Sequence, residues 1–144
     1  MTTPQERYRH FLETLTPHSL ERLHDYVAQD VRFRDPFNDV TGADAMQRLF
    51  AHMFAAVGPL HFCVSAAVTE GDRCLMSWRF EAVLRGKPWA FDGMSEVRFN
   101  ADGLVVSHFD YWDAASALYE RLPLIGPLLA WLRRRISRPS ARAL

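Results

Sequence analysis

The sequence predicts an α+β fold, and two observations carry that expectation. The first sixty residues repeat apolar side chains at helical spacing in three segments, separated by proline and glycine stops. From His61 to Asp113 the period switches to two, punctuated by the turns Glu70-Gly71-Asp72, Arg85-Gly86-Lys87-Pro88 and Ala101-Asp102-Gly103. Helices followed by a long antiparallel meander, with no repeat and no low-complexity linker, pack as three N-terminal helices on one face of a strongly curved, mainly antiparallel sheet.

Thr3-Pro4-Gln5-Glu6 reads as a capping box with proline at the first helical position, and Tyr8, Phe11, Leu12 and Leu15 follow at helical spacing. Thr16-Pro17 restarts the chain into a second short helix carrying Leu20, Leu23 and Val27. A strand over Val31–Phe37 places Val31, Phe33, Asp35 and Phe37 on one face, with Pro36 ending it or holding it at an edge. Thr41-Gly42-Ala43-Asp44 reads as another capping box. The third helix then runs to Val57 with Met46, Leu49, Phe50, Met53 and Phe54 inward, stopped by Gly58-Pro59. Strands are expected at His61–Thr69, Arg73–Leu84, Trp89–Asn100 and Leu104–Asp113. A last helix at Ala114–Leu122 ends at Pro123, and Pro127–Ile136 forms a second, basic one. The organisation expected is one domain over residues 1–122 and an amphipathic basic helix and tail over 123–144.

Composition narrows the functional classes. Lys+Arg and Asp+Glu both total 17, so no overall field recruits nucleic acid. The arginines are nevertheless crowded at the C-terminus, at Arg133, Arg134, Arg135, Arg138 and Arg142. The N-terminus lacks the apolar stretch of a secretory signal, and no apolar run reaches the roughly 18 residues of a membrane span, so a cytoplasmic location is the default. Cys63 and Cys74 lie too far apart on paired strands for a disulfide and read as small buried hydrophobes in a reducing compartment. Ligand spacing for a metal is missing, as are a nucleophile elbow, a phosphate loop and a dinucleotide fingerprint, which leaves cofactor-free chemistry.

The chemically informative stretch is Leu104–Asp113, LVVSHFDYWD. Strand alternation puts Val106, His108, Asp110 and Trp112 on one face, an imidazole and a carboxylate between an aliphatic residue and an indole. Such a pair either does acid–base work or satisfies itself as a buried structural pair. Asp35 carries the same ambiguity, as a base or as the opener of an Asp-Pro turn. Asp113 reads as the cap of the following helix, and Asp39 and Asp92-Gly93 as solvated loop or bulge residues.

VRFRDPF before the Gly42 helix start, SEVRFNADG at Ser95–Gly103 and VVSHFDYWD at Val105–Asp113 resemble the NTF2-like superfamily, in its SnoaL-like and ketosteroid-isomerase-like branch. The resemblance runs from about Gln5 to Leu118. It implies a conical sheet around one deep, mostly apolar pocket, and a homodimer through the outer sheet face. Asp35 matches the general-base aspartate of ketosteroid isomerases, but their two oxyanion donors fall at Phe11 and Ser95. A phenyl ring donates nothing, and loss of one such donor typically costs on the order of 10²–10³ in rate, which argues against ketosteroid isomerisation itself. His108-Phe109-Asp110 matches instead the His-aromatic-Asp pattern of SnoaL-type cyclases.

In that fold Asp35, His108 and Asp110 would converge as catalytic residues on a pocket lined by Phe11, Phe33, Phe37, Met53, Phe54, Met76, Trp78, Phe80 and Trp112, with Ser95 in contact range. A carboxylate desolvated by aromatic walls has its pKa raised towards the range useful near neutrality. The leading expectation is a cofactor-independent isomerase, cyclase or dehydratase acting on a small hydrophobic molecule. Its alternatives are a carrier of a lipophilic ligand and a dimerising accessory protein. The basic helix either docks across the pocket mouth or on a dimer partner, or makes peripheral contact with an anionic membrane through Trp131 and its leucines.

Overall fold

Helix α1, Pro4–Glu13, starts as the capping box predicts: the Glu6 amide donates to Thr3 Oγ1 at 3.2 Å, and the Thr3 amide donates to Glu6 Oε2 at 2.8 Å. Its buried stripe is Tyr8, Phe11 and Leu12. The second expected helix is a tighter 3₁₀ turn, Ser19–Asp25, and Val27 is not part of it. Val27 instead begins strand β1, Val27–Arg34, paired with Val105, because burying it in the sheet outweighs one more helical position.

Strand β2, Asp39–Thr41, folds back on β1, and helix α2, Ala43–Ala56, follows. The capping box expected at Thr41 does not form. Thr41 belongs to β2, opposite Arg32, and the N-cap is Gly42 at φ +107°, a conformation side chains resist. Four long strands complete the sheet: β3 His61–Glu70, β4 Arg73–Leu84, β5 Lys87–Phe99 and β6 Val105–Trp112. They make one curved six-stranded sheet in the order β2-β1-β6-β5-β4-β3, antiparallel except where β1 runs parallel to β6. Arg85 and Gly86, both at positive φ, form the tight β4–β5 turn that matches strand twist.

Two irregularities position the interior. Between β5 and β6 the register slips, with Arg98 opposite Ser107 but Phe99 opposite Val105. This bulge moves Val105 onto the face of His108, where alternation alone predicts Val106, and Val105 is fully buried. A second slip falls between Val64 and Ala66 on the edge strand β3. There the Arg9 guanidinium donates to the Val64 carbonyl at 3.0 Å and the Val64 amide donates to Glu13 at 3.3 Å. Helix α1 thereby occupies backbone groups of an edge strand that would otherwise stay open.

Leu23, Val31, Met46, Val97 and Val105 are fully buried where the helices meet the sheet. Cys74 is buried opposite Thr69, as expected, but Cys63 is exposed on the outer face; both are free thiols. Asp92 is exposed as read from sequence, but neither it nor Gly93 is a loop residue, since both lie within β5, and Asp39 likewise belongs to β2. On the outer face Arg34 stands 4.3 Å over the Phe109 ring and donates to the Tyr111 hydroxyl at 3.1 Å.

The computed structural model describes residues 1–117 and 125–141, and the chain divides into two compact units, Met1–Trp112 and Asp113–Leu144. The division falls at Asp113, ahead of the boundary at 122 expected from sequence. In the second unit Asp113 caps helix α3, Ala114–Ala117, accepting from the Ala115 and Ser116 amides at 3.1 and 3.2 Å. The expected continuation to Leu122 lies outside the described residues. Helix α4 is longer than Pro127–Ile136, spanning Ile125–Ala141, with Leu128, Trp131, Leu132 and Ile136 exposed and Arg135 over the Trp131 ring at 5.3 Å. Arg142 is outside the described residues. Among those residues no helix is long and apolar enough to cross a membrane.

Candidate active site

Inward-facing positions of β4, β5 and β6 lie in register, so one row across the sheet holds Trp78, Gly93 and Trp112, and the next holds Met76, Ser95 and Asp110. The glycine is essential to the first row. A Cβ on Gly93 would stand 2.4 Å from the Trp78 ring, so the indole lies flat across this position. That placement lets Trp78 Nε1 donate to Ser95 Oγ at 2.8 Å, and Ser95 Oγ in turn donates to Asp110 Oδ1 at 2.5 Å.

A second arm reaches the same oxygen. His108 Nε2 lies 2.7 Å from Asp110 Oδ1, and His108 Nδ1 lies 2.7 Å from the Tyr8 hydroxyl of α1. Tyr8 and His108 are 1 % and 3 % exposed, and no buried polar side-chain atom among the described residues lacks a partner. A proton on Nε2, with Nδ1 bare to accept from Tyr8, is the assignment that satisfies every group. Burial and the Asp110 charge both push the Tyr8 phenol well above its ordinary range, which keeps it a neutral donor. Asp110 Oδ1 therefore receives two donors, while no donor among the described residues reaches Oδ2.

Asp110 borders a half-open cavity of about 230 Å³ between α2 and the concave sheet. Of the residues expected from sequence, Phe33, Asp35, Phe37, Met53, Trp78, Phe80, Asp110 and Trp112 line it. Five of the residues expected around the pocket do not. Phe11 is core, stacked on Tyr26 at 4.3 Å just past the 3₁₀ turn. Met76 is buried without reaching the cavity. Phe54 falls one position past the helical phase of Leu49, Phe50, Met53, Ala56 and Val57 that faces the cavity. Ser95 and His108 stand behind Asp110, bordering a separate recess of about 20 Å³.

Asp35 reaches the cavity by a different route. It follows the end of β1, and its Oδ1 accepts from the Phe37 amide at 2.8 Å, the Asn38 amide at 2.7 Å and Asn38 Nδ2 at 3.0 Å. It is thus the turn residue that Asp-Pro suggested, and it also lines the cavity. Burial raises its pKa, the turn's hydrogen bonds oppose that, the Asp110 charge adds to it, and the balance is upward. Oδ1 takes three donors and Oδ2 only the longer contact from Asn38 Nδ2 at 3.3 Å, so a proton taken up by Asp35 sits on Oδ2.

Sequence reading missed Tyr8, Trp89 and Phe91 as parts of this site. From sequence Tyr8 is one of the helically spaced apolar residues of α1, and nothing in α1 signals that a residue a hundred positions away needs its hydroxyl. Trp89 and Phe91 were legible by parity, since they alternate with Gly93, Ser95 and Val97 on β5. Phe91 stacks on Trp112 at 4.5 Å, and Phe37 meets Trp112 edge-on at 5.4 Å. Among the described residues no three His, Cys, Asp or Glu side chains are grouped to hold a metal ion.

Residues 8–108 match the model of the SnoaL-like domain. Solved structures with the same fold include an NTF2-like protein of unknown function from an Exiguobacterium species, 21% identical, with TM-score 0.68 over 77% of this chain and 98% of that one. An LEH-like epoxide hydrolase from M. tuberculosis is 16% identical, with TM-score 0.69 over 79% and 85% of the two chains. A candidate polyketide cyclase from Acidithiobacillus ferrooxidans is 15% identical, with TM-score 0.67 over 87% and 98%. At these identities the likeness shows the NTF2-like fold alone. No curated protein matches the chain.

Proposed function

The chain belongs to the SnoaL-like domain family, and on that footing we propose that it is a cofactor-independent acid–base enzyme of isomerase, cyclase or dehydratase type, acting on a small hydrophobic molecule. The observation that carries the proposal is the asymmetry of Asp110. Its Oδ1 is held by Ser95 and His108, and its Oδ2 is left without a donor at the cavity wall. Oriented carboxylates in dry, apolar surroundings are effective proton acceptors, and a positioned base typically contributes on the order of 10²–10⁴ in rate.

Asp110 Oδ2 is assigned the proton from substrate carbon. Asp35, once it has taken up a proton on Oδ2, is assigned the hydrogen bond or proton to the substrate oxygen on which charge collects. The base gains one proton and the acid gives up at most one, so return of a proton to a different carbon completes an isomerisation. An Asp35 whose pKa is raised by burial suits the proton-holding role in such a division of labour. His108 and Tyr8 orient Asp110 from behind and do not reach the cavity themselves. The test is turnover once a substrate is found, for Asp110→Asn and Asp35→Asn singly and together. Full activity in both single variants overturns the assignment.

A homodimer through the outer sheet face belongs to the same reading. Met94 and Tyr111, neighbours across β5 and β6, are about half exposed there. Light scattering at the monomer mass throughout the micromolar range counts against it.

A further inference from the structure

The cavity has a sign. Asp35 and Asp110 border it, the other titratable side chain on its wall is the exposed His52, and among the described residues that wall contains no lysine or arginine. The uncharged remainder is dominated by aromatic rings, whose faces carry negative potential. Trp78, Trp112, Phe37 and Phe91 are arranged at varied tilts, from the 29° stack of Phe91 on Trp112 to the 73° edge contact of Phe37. The Asp110 side chain is only 13% exposed. Its hydrogen-bond partners, Ser95 and His108 in the Nε2–H form set by Tyr8, bring no formal charge. A carboxylate taken out of water without a counterion is costly, and its cost falls when a cation arrives with its occupant.

From this we infer that the cavity selects an occupant carrying positive charge on an apolar body, that is, a hydrophobic ammonium such as a protonated or quaternary amine. The cationic centre sits at Asp110 Oδ2 among the rings, where ion pairing to a mostly buried carboxylate and cation–π attraction act together. The hydrocarbon part fills the space toward Leu49, Met53 and Val57 of α2. This inference uses the site of the proposed acid–base reaction and narrows its substrate class, but the two fail by different measurements. A shared consequence is that an ammonium beside Asp110 offsets the charge that helps push Asp35 upward.

The experiment uses the full chain and two probes with the same heavy-atom skeleton, phenyltrimethylammonium and tert-butylbenzene, titrated while the indole N–H signals are followed by NMR. The cation is expected to bind about tenfold or more tightly than its neutral isostere, the range that one desolvated cation–π contact supplies. It is expected to shift the Trp78 and Trp112 indole signals and to lose most of that preference in Asp110→Asn. Equal or tighter binding of tert-butylbenzene to the unaltered protein overturns the inference without needing any variant to fold. Absence of cation binding at millimolar concentration also overturns it, as does binding that leaves both indole signals unmoved. Turnover of a neutral substrate that Asp110→Asn abolishes upholds the acid–base reading while removing the cationic class. A preference for the cation with full turnover in both aspartate variants does the reverse.

Discussion

Asp35 and Asp110 border the same cavity but are held there by opposite means. Asp35 is fixed by its immediate neighbours, since all its hydrogen-bond donors among the described residues come from Phe37 and Asn38. Asp110 is fixed by residues up to a hundred positions away, through Trp78 and Ser95 on one arm and Tyr8 and His108 on the other. A local turn orients a side chain cheaply, and such residues tolerate change around them. A network assembled from α1, β4, β5 and β6 exists only when the whole sheet is closed, and each member left alone becomes an unsatisfied buried group. The two carboxyls should therefore respond very differently to perturbation.

The largest effect expected is on turnover. Asp110→Asn should lower kcat by on the order of 10²–10⁴, the contribution of a lost base. Asp35→Ala, which removes the donor that an asparagine amide would keep, should lower it by on the order of 10²–10³, as for one lost donor to a developing oxyanion. Equal small losses would erase the distinction between the two residues. Next, Gly93→Ala should destabilise the fold by about 1–3 kcal/mol through overpacking, because its Cβ falls within the Trp78 ring. Urea unfolding measures that cost, and a displaced Trp78 indole N–H resonance reports the broken contact with Ser95.

Tyr8→Phe keeps the ring and removes only the hydroxyl, leaving His108 Nδ1 buried without a donor. It should cost about 1–3 kcal/mol, and imidazole ¹⁵N shifts should show the tautomer no longer held. An unchanged tautomer and midpoint would mean that the Tyr8 arm carries nothing. Asn38→Ala removes the side-chain donor to Asp35 but leaves the two backbone ones, so about 0.5–1.5 kcal/mol is expected.

The smallest effect is a slope. The pKa of Asp35 is raised in the folded protein, so the stability it contributes is complete below its ordinary value near 3.8 and is lost as pH rises through the folded value. Urea midpoints of the native chain should fall relative to those of Asp35→Asn as pH rises through that window. A relative gain with pH would show that the turn's hydrogen bonds outweigh desolvation.

Much of the fold was legible because its signals are local. The Thr3–Glu6 box, the switch of period after Pro59, the glycine turns and the Asp113 cap each depend on residues within a few positions of one another. Departures occurred where a distant partner competed with a local preference. Val27 left its helix to pair with Val105, Thr41 joined β2 instead of capping α2, and a bulge exchanged Val105 for Val106. Sequence reading also placed Phe11, Phe54, Met76 and Ser95 around the pocket, since parity and helical phase indicate facing but not depth.

The strand VVSHFDYW by itself determined that an imidazole and a carboxylate share one inward face, because strand side chains alternate with a period of two. Likewise Asp35 before proline determined its own turn. Only the tertiary structure decided that His108 stands behind Asp110, that Tyr8 completes it, and that Gly93 makes room for the indole reaching Ser95. Those facts depend on depth and on the packing of four separate elements around one carboxylate oxygen. Local periodicity carries direction, whereas distance between remote side chains is set only when the sheet closes.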